Sequence, residues 1–229
     1  MRFFQLFVLC CLAAPLPALA ALPLQPWLDT ALPGASIRLP PGTYDGPAII
    51  SKPLTLDGNG EVTSETGIGF FDHMLAELGR HSQMDLIVKA KGDTHIDDHH
   101  TVEDVGIVAG ESLKQALGEK RSIRRFGSAA VPLDETLVRV DLDISGRGGY
   151  YLHGAFPRQK TGNFDAFLAE DFFRAFCLHA AITVHMTIVH GDNPHHVVES
   201  AFKSMAAALG LAMVVDSHVT GVPSTKGLI

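Results

Sequence analysis

Cysteine, positive charge and long apolar segments are scarce in this sequence. Its three cysteines are Cys10 and Cys11 near the N-terminus and Cys177 far from both, a set that provides neither a disulfide framework nor a zinc-ligand spacing. The formal net charge of −7 argues against a nucleic-acid partner, which would require a basic surface. The apolar run at residues 3–12 is shorter than the roughly 20 residues that a membrane-spanning helix needs. Hydrophobic and charged contents are ordinary for a globular protein.

The first twenty residues have the pattern of a secretory signal peptide. Arg2 precedes the apolar run, and Ala18-Leu19-Ala20 fits the small-residue rule for cleavage. The alternative is a buried N-terminal helix. The signal interpretation predicts export.

Residues 21–58 have a composition of their own. Short apolar runs alternate with turn residues such as Pro40-Pro41-Gly42, which predicts strands interrupted by turns. The segment resembles the opening of right-handed parallel β-helix proteins, in particular the periplasmic factor that matures nitrous oxide reductase. A β-helix needs several stacked coils to bury its face, and this segment supplies one or two. We therefore expect one or two strands here, followed by a separate body at residues 59–229.

An internal repeat lies in the body. His99-His100-Thr101-Val102-Glu103 recurs as His195-His196-Val197-Val198-Glu199, and each copy opens an amphipathic helical pattern. Upstream of each copy lie a Gly-Asp pair, a strand-like run and a short aromatic-rich helical run. The order predicts two similar halves, about 62–145 and 146–229, related by a pseudo-twofold axis.

The repeated motif has the chemistry of a metal site. Residues four apart share one face of a helix, so His99 and Glu103 can present ligands together. Adjacent histidines point roughly 100° apart and suit two different ions. His73 and Asp171 hold matching repeat positions and can complete the shells. A single His-His pair at a helix start is more often a surface or capping feature; the duplicated motif favours metal.

Two charged pairs near these motifs have two interpretations each. Asp97-Asp98 can orient imidazoles or be solvated charge at a helix N-terminus. Arg124-Arg125 can bind an anion or form a solvated basic patch. Gly127 and Gly148-Gly149 are interpreted as turn glycines.

Five motifs in this order resemble the imidazoleglycerol-phosphate dehydratase family. They are Gly67–Leu75, Asp98–Asp104, Arg124–Gly127, Asn193–Lys203 and Pro223–Gly227. The resemblance runs from about residue 56 to the C-terminus. It implies an α+β fold (ribosomal S5 domain 2-like) of two halves, each a four-stranded sheet backed by helices. It also implies a 24-subunit homo-oligomer with active sites between subunits. The implied activity is that of a cytoplasmic hydro-lyase of histidine synthesis, which converts imidazoleglycerol phosphate to imidazoleacetol phosphate and water.

The resemblance also implies the site. Two manganese ions per active site would act as Lewis acids and template. Their catalytic ligands map onto His73, His99, His100, Glu103, His195, His196 and Glu199, with Asp171 where the family usually has His or Glu. The phosphate of the substrate would contact Arg125, Arg147, Ser224, Thr225 and Lys226, because arginine grips phosphate bidentately.

The chain departs from the family at its start. The family's first strand carries a substrate-contacting Glu in a Thr-x-Glu-Thr segment, and this chain has no such residue before Leu56-Asp57-Gly58-Asn59-Gly60. We therefore expect a hybrid of an exported protein's start and a dehydratase body. Two alternatives to an active enzyme stay open: a metal-binding body with impaired catalysis, and an exported non-enzymatic metal-binding protein.

Overall fold

The structure, a computed structural model, describes residues 60–229 in full and five earlier strand segments by their backbone pairing alone. These segments are β1 (Gln5–Cys10), β2 (Leu22–Pro23), β3 (Ser36–Ile37), β4 (Tyr44–Asp45) and β5 (Thr55–Leu56). β2 pairs parallel with β4, and β3 pairs parallel with β5. The rest of the leader and of the β-helix-like segment lies outside the described residues, so the signal peptide stays a prediction.

The body contains the predicted repeat. Its first half has β6 (Val62–Glu65), α1 (Gly69–Ser82), β7 (Asp85–Ala90) and α2 (His99–Leu117). After it come β8 (Phe126–Leu133), β9 (Thr136–Asp143), β10 (Gly149–His153), β11 (Lys160–Thr161), β12 (Phe164–Asp165), α3 (Leu168–Ala180), β13 (Thr183–His190) and α4 (Pro194–Met213). The order strand, short helix, strand, motif helix therefore occurs twice.

Strand pairing shows how the halves correspond. The second sheet has the order β10-β13-β9-β8, with β10 parallel to β13 and the other pairs antiparallel. The first has the order β1-β7-β6 with both pairs parallel, so β6–β7 repeats β10–β13. The α+β class with duplicated halves is confirmed, with four strands in the second sheet and three described in the first. Pairing also groups β8 and β9 with the second half, although both precede the boundary expected near residue 145.

The helices lie between the two sheets. α1 packs on β6 and β7 and against α4, which in turn covers β8 and β9; α2 packs against α3. Each short helix thus contacts the motif helix of the other half. Five fully buried phenylalanines fill the interior: Phe71, Phe172, Phe173, Phe176 and Phe202. No helix in the described part of the chain is long and apolar enough to cross a membrane.

Glycines bring backbones together at two of these contacts. On α2, a Cβ at Gly110 would lie 2.5 Å from the carbonyl oxygen of Phe176 on α3. Gly127, which we expected in a turn, lies inside β8 instead. A Cβ there would lie 1.9 Å from the carbonyl oxygen of Ala208 on α4. The turn interpretation of Gly127 is therefore wrong, because helix packing on the sheet is what requires glycine there.

Candidate metal centre

Local capping places the histidine pairs at the helix starts. The side chain of Asn193 accepts a hydrogen bond from the backbone N–H of His195 at 2.9 Å, and Pro194 begins α4. The carboxylate of Asp97 accepts from the backbone N–H of His99 at 2.9 Å. Side-chain acceptors and proline are favoured in this first turn because its N–H groups lack helical partners. Asp97 therefore acts at the helix terminus, the second of the two roles considered for it.

The first ligand group consists of His73, His195 and Glu199. Oε2 of Glu199 lies 3.0 Å from Nε2 of His195 and 3.3 Å from Nε2 of His73. One ligand atom from each residue lies within 4.8 Å of the others. His73 projects from α1 and the other two from α4, so the group joins the two halves of the repeat.

Glu199 is held as a carboxylate although its side chain is buried. Burial works against ionisation, but hydrogen bonds from Lys203 and His195 outweigh it and lower the pKa of Glu199. Lys203 lies one helical turn after Glu199, and its Nζ is also 3.7 Å from Oε2 of Glu77. A metal ligand must be deprotonated, so this environment is compatible with Glu199 as a ligand.

His99, Glu103 and Asp171 are the counterpart in the other pair of helices and form a second, looser candidate group. Nε2 of His99 lies 3.8 Å from Oε2 of Glu103, and its Nδ1 lies 3.6 Å from Oδ2 of Asp171. His99 and Glu103 project from α2 and Asp171 from the first turn of α3. Asp171 thus takes the place in this group that His73 takes in the first. The contacts are longer than in the first group.

The second histidine of each motif is held by a different carboxylate. Nδ1 of His100 lies 2.9 Å from Oδ2 of Asp93, and Nδ1 of His196 lies 2.8 Å from Oε2 of Glu135. The hydrogen bond with Asp93 raises the pKa of His100. The hydrogen bond from His196, with help from the backbone of Asn193, lowers the pKa of Glu135 to about 2.

The eight predicted ligands therefore fall into three sets: two groups of three, and two outer imidazoles. Imidazole nitrogen together with carboxylate oxygen suits manganese, iron or zinc. The donor set fits a divalent transition metal, and the compact first group fits it best, because its atoms converge within 4.8 Å.

The predicted phosphate contacts line one open cleft of about 830 Å³. Arg125 immediately precedes β8 and Arg147 lies between β9 and β10. The C-terminal loop supplies the remaining residues, Ser224, Thr225 and Lys226. Sequence positions separated by a whole half-domain thus meet in one basic cleft.

Arg125 is partly engaged within this cleft. Its Nε and one terminal nitrogen donate to the two carboxylate oxygens of Asp143 at 2.7 and 3.1 Å, and the other terminal nitrogen donates to the carbonyl of Pro223 at 2.9 Å. A guanidinium has five N–H donors, so two stay available for an anion. Arg125 therefore also holds the C-terminal loop against the sheet. The alternative in which it belongs to a solvated basic patch does not apply to this residue.

Four residues near the ligands were missed by sequence reasoning: Glu77, Asp93, Glu135 and Lys203. Spacing could have identified Lys203, which lies four residues after Glu199 on one helix. Asp93 belongs to the Gly-Asp pair noted before the first motif. Glu135 had no local signal, because it lies 61 residues from His196.

The fold and the ligand groups define a class: duplicated α+β proteins that gather histidine and carboxylate ligands where their two halves cross. The comparisons with known proteins narrow that class. The family model of imidazoleglycerol-phosphate dehydratase matches residues 66–209. The chain belongs to this family, whose members are hydro-lyases of histidine biosynthesis, and that membership disfavours the two alternatives to an active dehydratase.

Individual relatives agree. The chain is 55% identical over 174 residues to the imidazoleglycerol-phosphate dehydratase of Desulforamulus reducens, covering 76% of this chain and 89% of the relative. For the enzyme of Gluconobacter oxydans the identity is 53% over 181 residues, covering 79% and 91%. The crystal structure of the Staphylococcus aureus enzyme matches with a TM-score of 0.65 and 39% identity, over 70% of this chain and 91% of that one.

Proposed function

We propose that this chain dehydrates imidazoleglycerol phosphate at a site of two Mn²⁺ ions, with the phosphate of the substrate bound by the Arg125–Lys226 cleft. One observation carries the proposal: both ligand groups are assembled in the same way, from the short helix of one half and the motif helix of the other. A scattered set of surface histidines would not repeat this crossing.

The metals and the chain have separate tasks. When bound, Mn²⁺ supplies Lewis acidity and a template at the imidazole ring of the substrate. The chain holds Glu199 ionised, and the fork of Asp143 orients Arg125 towards an anion. The two catalytic requirements, ring binding and phosphate binding, thus fall on different elements.

The outer imidazoles support assembly into a homo-oligomer. Each ligand group offers three protein ligands, whereas manganese accepts six. His100 and His196 point away from the groups on their own helices, because successive helical residues are roughly 100° apart. We propose that they complete the ligand groups of neighbouring copies, within the 24-subunit particle that the family resemblance implies.

The proposed location is the cytoplasm, in keeping with a biosynthetic enzyme. The signal-like residues 1–20 favour export instead. Fractionation of cells that express the full chain tests the location. Recovery in the cytoplasm with Met1 retained supports the proposal, and recovery outside it as a chain that begins near residue 21 contradicts it.

Metal stoichiometry tests the ligand groups. We expect two Mn²⁺ per unmodified chain, about one in either Glu199→Ala or Glu103→Ala, and none in the double variant. Elemental analysis after gel filtration measures each. Glu111→Ala, an exposed carboxylate on the same helix as Glu103, is the matched control. Two ions in both single variants would contradict the assignment of these glutamates.

A further inference from the structure

We infer that Asp93 and Glu135 are positioning residues, which fix the outer imidazoles of His100 and His196 so that Nε2 of each is the metal-binding atom. The inference rests on the proposed function, since it concerns how two of the proposed ligands are prepared.

The geometry defines which ring nitrogen is used. Nδ1 of His100 lies 2.9 Å from Asp93, and Nδ1 of His196 lies 2.8 Å from Glu135. A carboxylate can only accept, so each Nδ1 carries the proton. A neutral imidazole protonated at Nδ1 has its lone pair on Nε2. The two carboxylates therefore select the same tautomer in both copies of the motif.

Glu135 is itself immobilised by the start of α4. Its Oε1 accepts from the backbone N–H of Asn193 at 3.1 Å and from the hydroxyl of Thr136 at 3.0 Å, while Oε2 accepts from His196. The carboxylate is therefore fixed to the same helix start that carries the imidazole. Its position determines the orientation of the ring.

The repeat supplies a second argument. Asp93 follows Gly92, and its counterpart in the second half is Asp192 after Gly191. Nδ1 of His196 nevertheless lies against Glu135, from the β8–β9 turn, and the backbone N–H of Asp192 donates to Glu135 at 3.4 Å. Two unrelated chain segments thus bring a carboxylate to the same ring atom of equivalent histidines. If the hydrogen bond were only a by-product of duplication, it would come from equivalent positions in the two halves. It comes from different positions, which indicates that the carboxylate at Nδ1 of the second histidine is itself needed.

A histidine–carboxylate pair outside the proposed ligands serves as a comparison. His179 lies 3.2 Å from Glu111 by the same ring atom, at an exposed position outside the proposed ligands. His179 therefore has the same hydrogen bond to a carboxylate but is not a proposed metal ligand. For a ligating histidine, a carboxylate on the second nitrogen fixes the ring and increases its basicity, and its loss typically weakens metal binding about 10–100-fold.

The test compares five chains: unmodified, Asp93→Ala, Asp93→Asn, Glu135→Ala and the control Glu111→Ala. Mn²⁺ affinity is measured by electron paramagnetic resonance titration, and kcat and KM for the dehydration are measured separately. We expect about 10–100-fold weaker Mn²⁺ binding in Asp93→Ala and in Glu135→Ala. Asparagine keeps an acceptor oxygen for the imidazole, so Asp93→Asn should return affinity close to that of the unmodified chain. Glu111→Ala should bind Mn²⁺ normally.

A metal-free readout separates this inference from the proposed function. In ¹⁵N-histidine-labelled apo chain, the neutral rings of His100 and His196 should give the spectrum of imidazole protonated at Nδ1. Asp93→Ala should lose this signal at His100 and Glu135→Ala at His196, and Glu111→Ala should keep both. Protonation at Nε2 in the apo chain overturns the inference, whether or not Mn²⁺ binds. Equal Mn²⁺ affinity in all five chains also overturns it. Absence of Mn²⁺ binding by the unmodified chain, with the Nδ1–H tautomer present, overturns the proposed function instead. If Glu135→Ala does not fold, the Asp93→Ala and Asp93→Asn pair decides.

Discussion

His73 and Glu199 belong to opposite halves of the repeat, yet their side chains meet with Nε2 3.3 Å from Oε2. In the other pair of helices the short helix and the motif helix meet instead through Asp171 and His99, at 3.6 Å. The chain therefore contains two versions of one candidate ligand group. The compact version has three converging donors, and in the looser version aspartate replaces histidine.

The looser group should bind Mn²⁺ more tightly when the short side chain of Asp171 is replaced by a longer ligand. Asp171→His restores the residue type that His73 has in the first group, and its ring reaches further than an aspartate. We expect Mn²⁺ affinity at the second group to rise about tenfold, or about 1.4 kcal/mol. Titration followed by electron paramagnetic resonance measures it in a Glu199→Ala background, where the first group is disabled. Asp171→Asn is the control and should weaken binding; equal affinity in the two variants would remove Asp171 from the ligand set.

The Arg125–Asp143 fork should matter for substrate binding. Asp143→Asn removes the charge that orients the guanidinium, and both side chains are less than one quarter exposed. We expect KM to rise and stability to fall by about 1–3 kcal/mol, as measured by kinetics and by urea unfolding. Asp141→Asn is a close control because Arg139 forms the same fork with Asp141 on the exposed sheet surface. A fall of equal size in both variants would show that the buried fork has no special role.

The helix on the second sheet should not tolerate a side chain at Gly127. Gly127→Ala places a methyl group against the carbonyl of Ala208, at 1.9 Å before relaxation. We expect a loss of about 1–3 kcal/mol or more in unfolding free energy, because α4 must move away from β8. Gly69→Ala is the comparison, because nothing lies within 4 Å of the position that its Cβ would take, and it should be neutral or slightly stabilising. A stable Gly127→Ala chain would mean that the two elements can separate freely.

Cys177 should resist alkylation in the folded chain. Burial raises the pKa of this thiol well above its ordinary value and also blocks access. We expect no iodoacetamide adduct on the Cys177 peptide after native treatment at a mildly alkaline pH, and complete labelling in urea, as read by mass spectrometry. Rapid native labelling would contradict the packing of α3.

Much of the site could be predicted because its signals are local. Histidine and glutamate four residues apart share a helical face, so the two motifs and their helices followed from spacing. The position of Glu135 beside His196 depends on a hairpin turn 61 residues away in sequence. The same holds for Gly127, whose local pattern suits a turn and whose actual constraint is the close packing of α4, about 80 residues later in the chain, on β8. Contacts made by tertiary packing leave no periodic trace in the sequence.

At the start of the chain, too, one feature could be predicted from the sequence and another could not. The absence of the N-terminal glutamate that the family resemblance implies could be read directly from the residues. The segment that pairs with β7 in place of the family's first strand could not be predicted from the sequence. In the structure β1 pairs parallel with β7, from Gln5 with Asp85 to Cys10 with Ala90, on the side where β9 pairs antiparallel with β13 in the second half.

The most direct test is the dehydration of imidazoleglycerol phosphate by the purified full chain, assayed with bound Mn²⁺ counted in the same preparation. We predict two Mn²⁺ per chain and turnover that a chelator abolishes and Mn²⁺ restores. Two bound Mn²⁺ without turnover would contradict the account, since the metal groups would then be complete while the chain lacks the group that moves the proton.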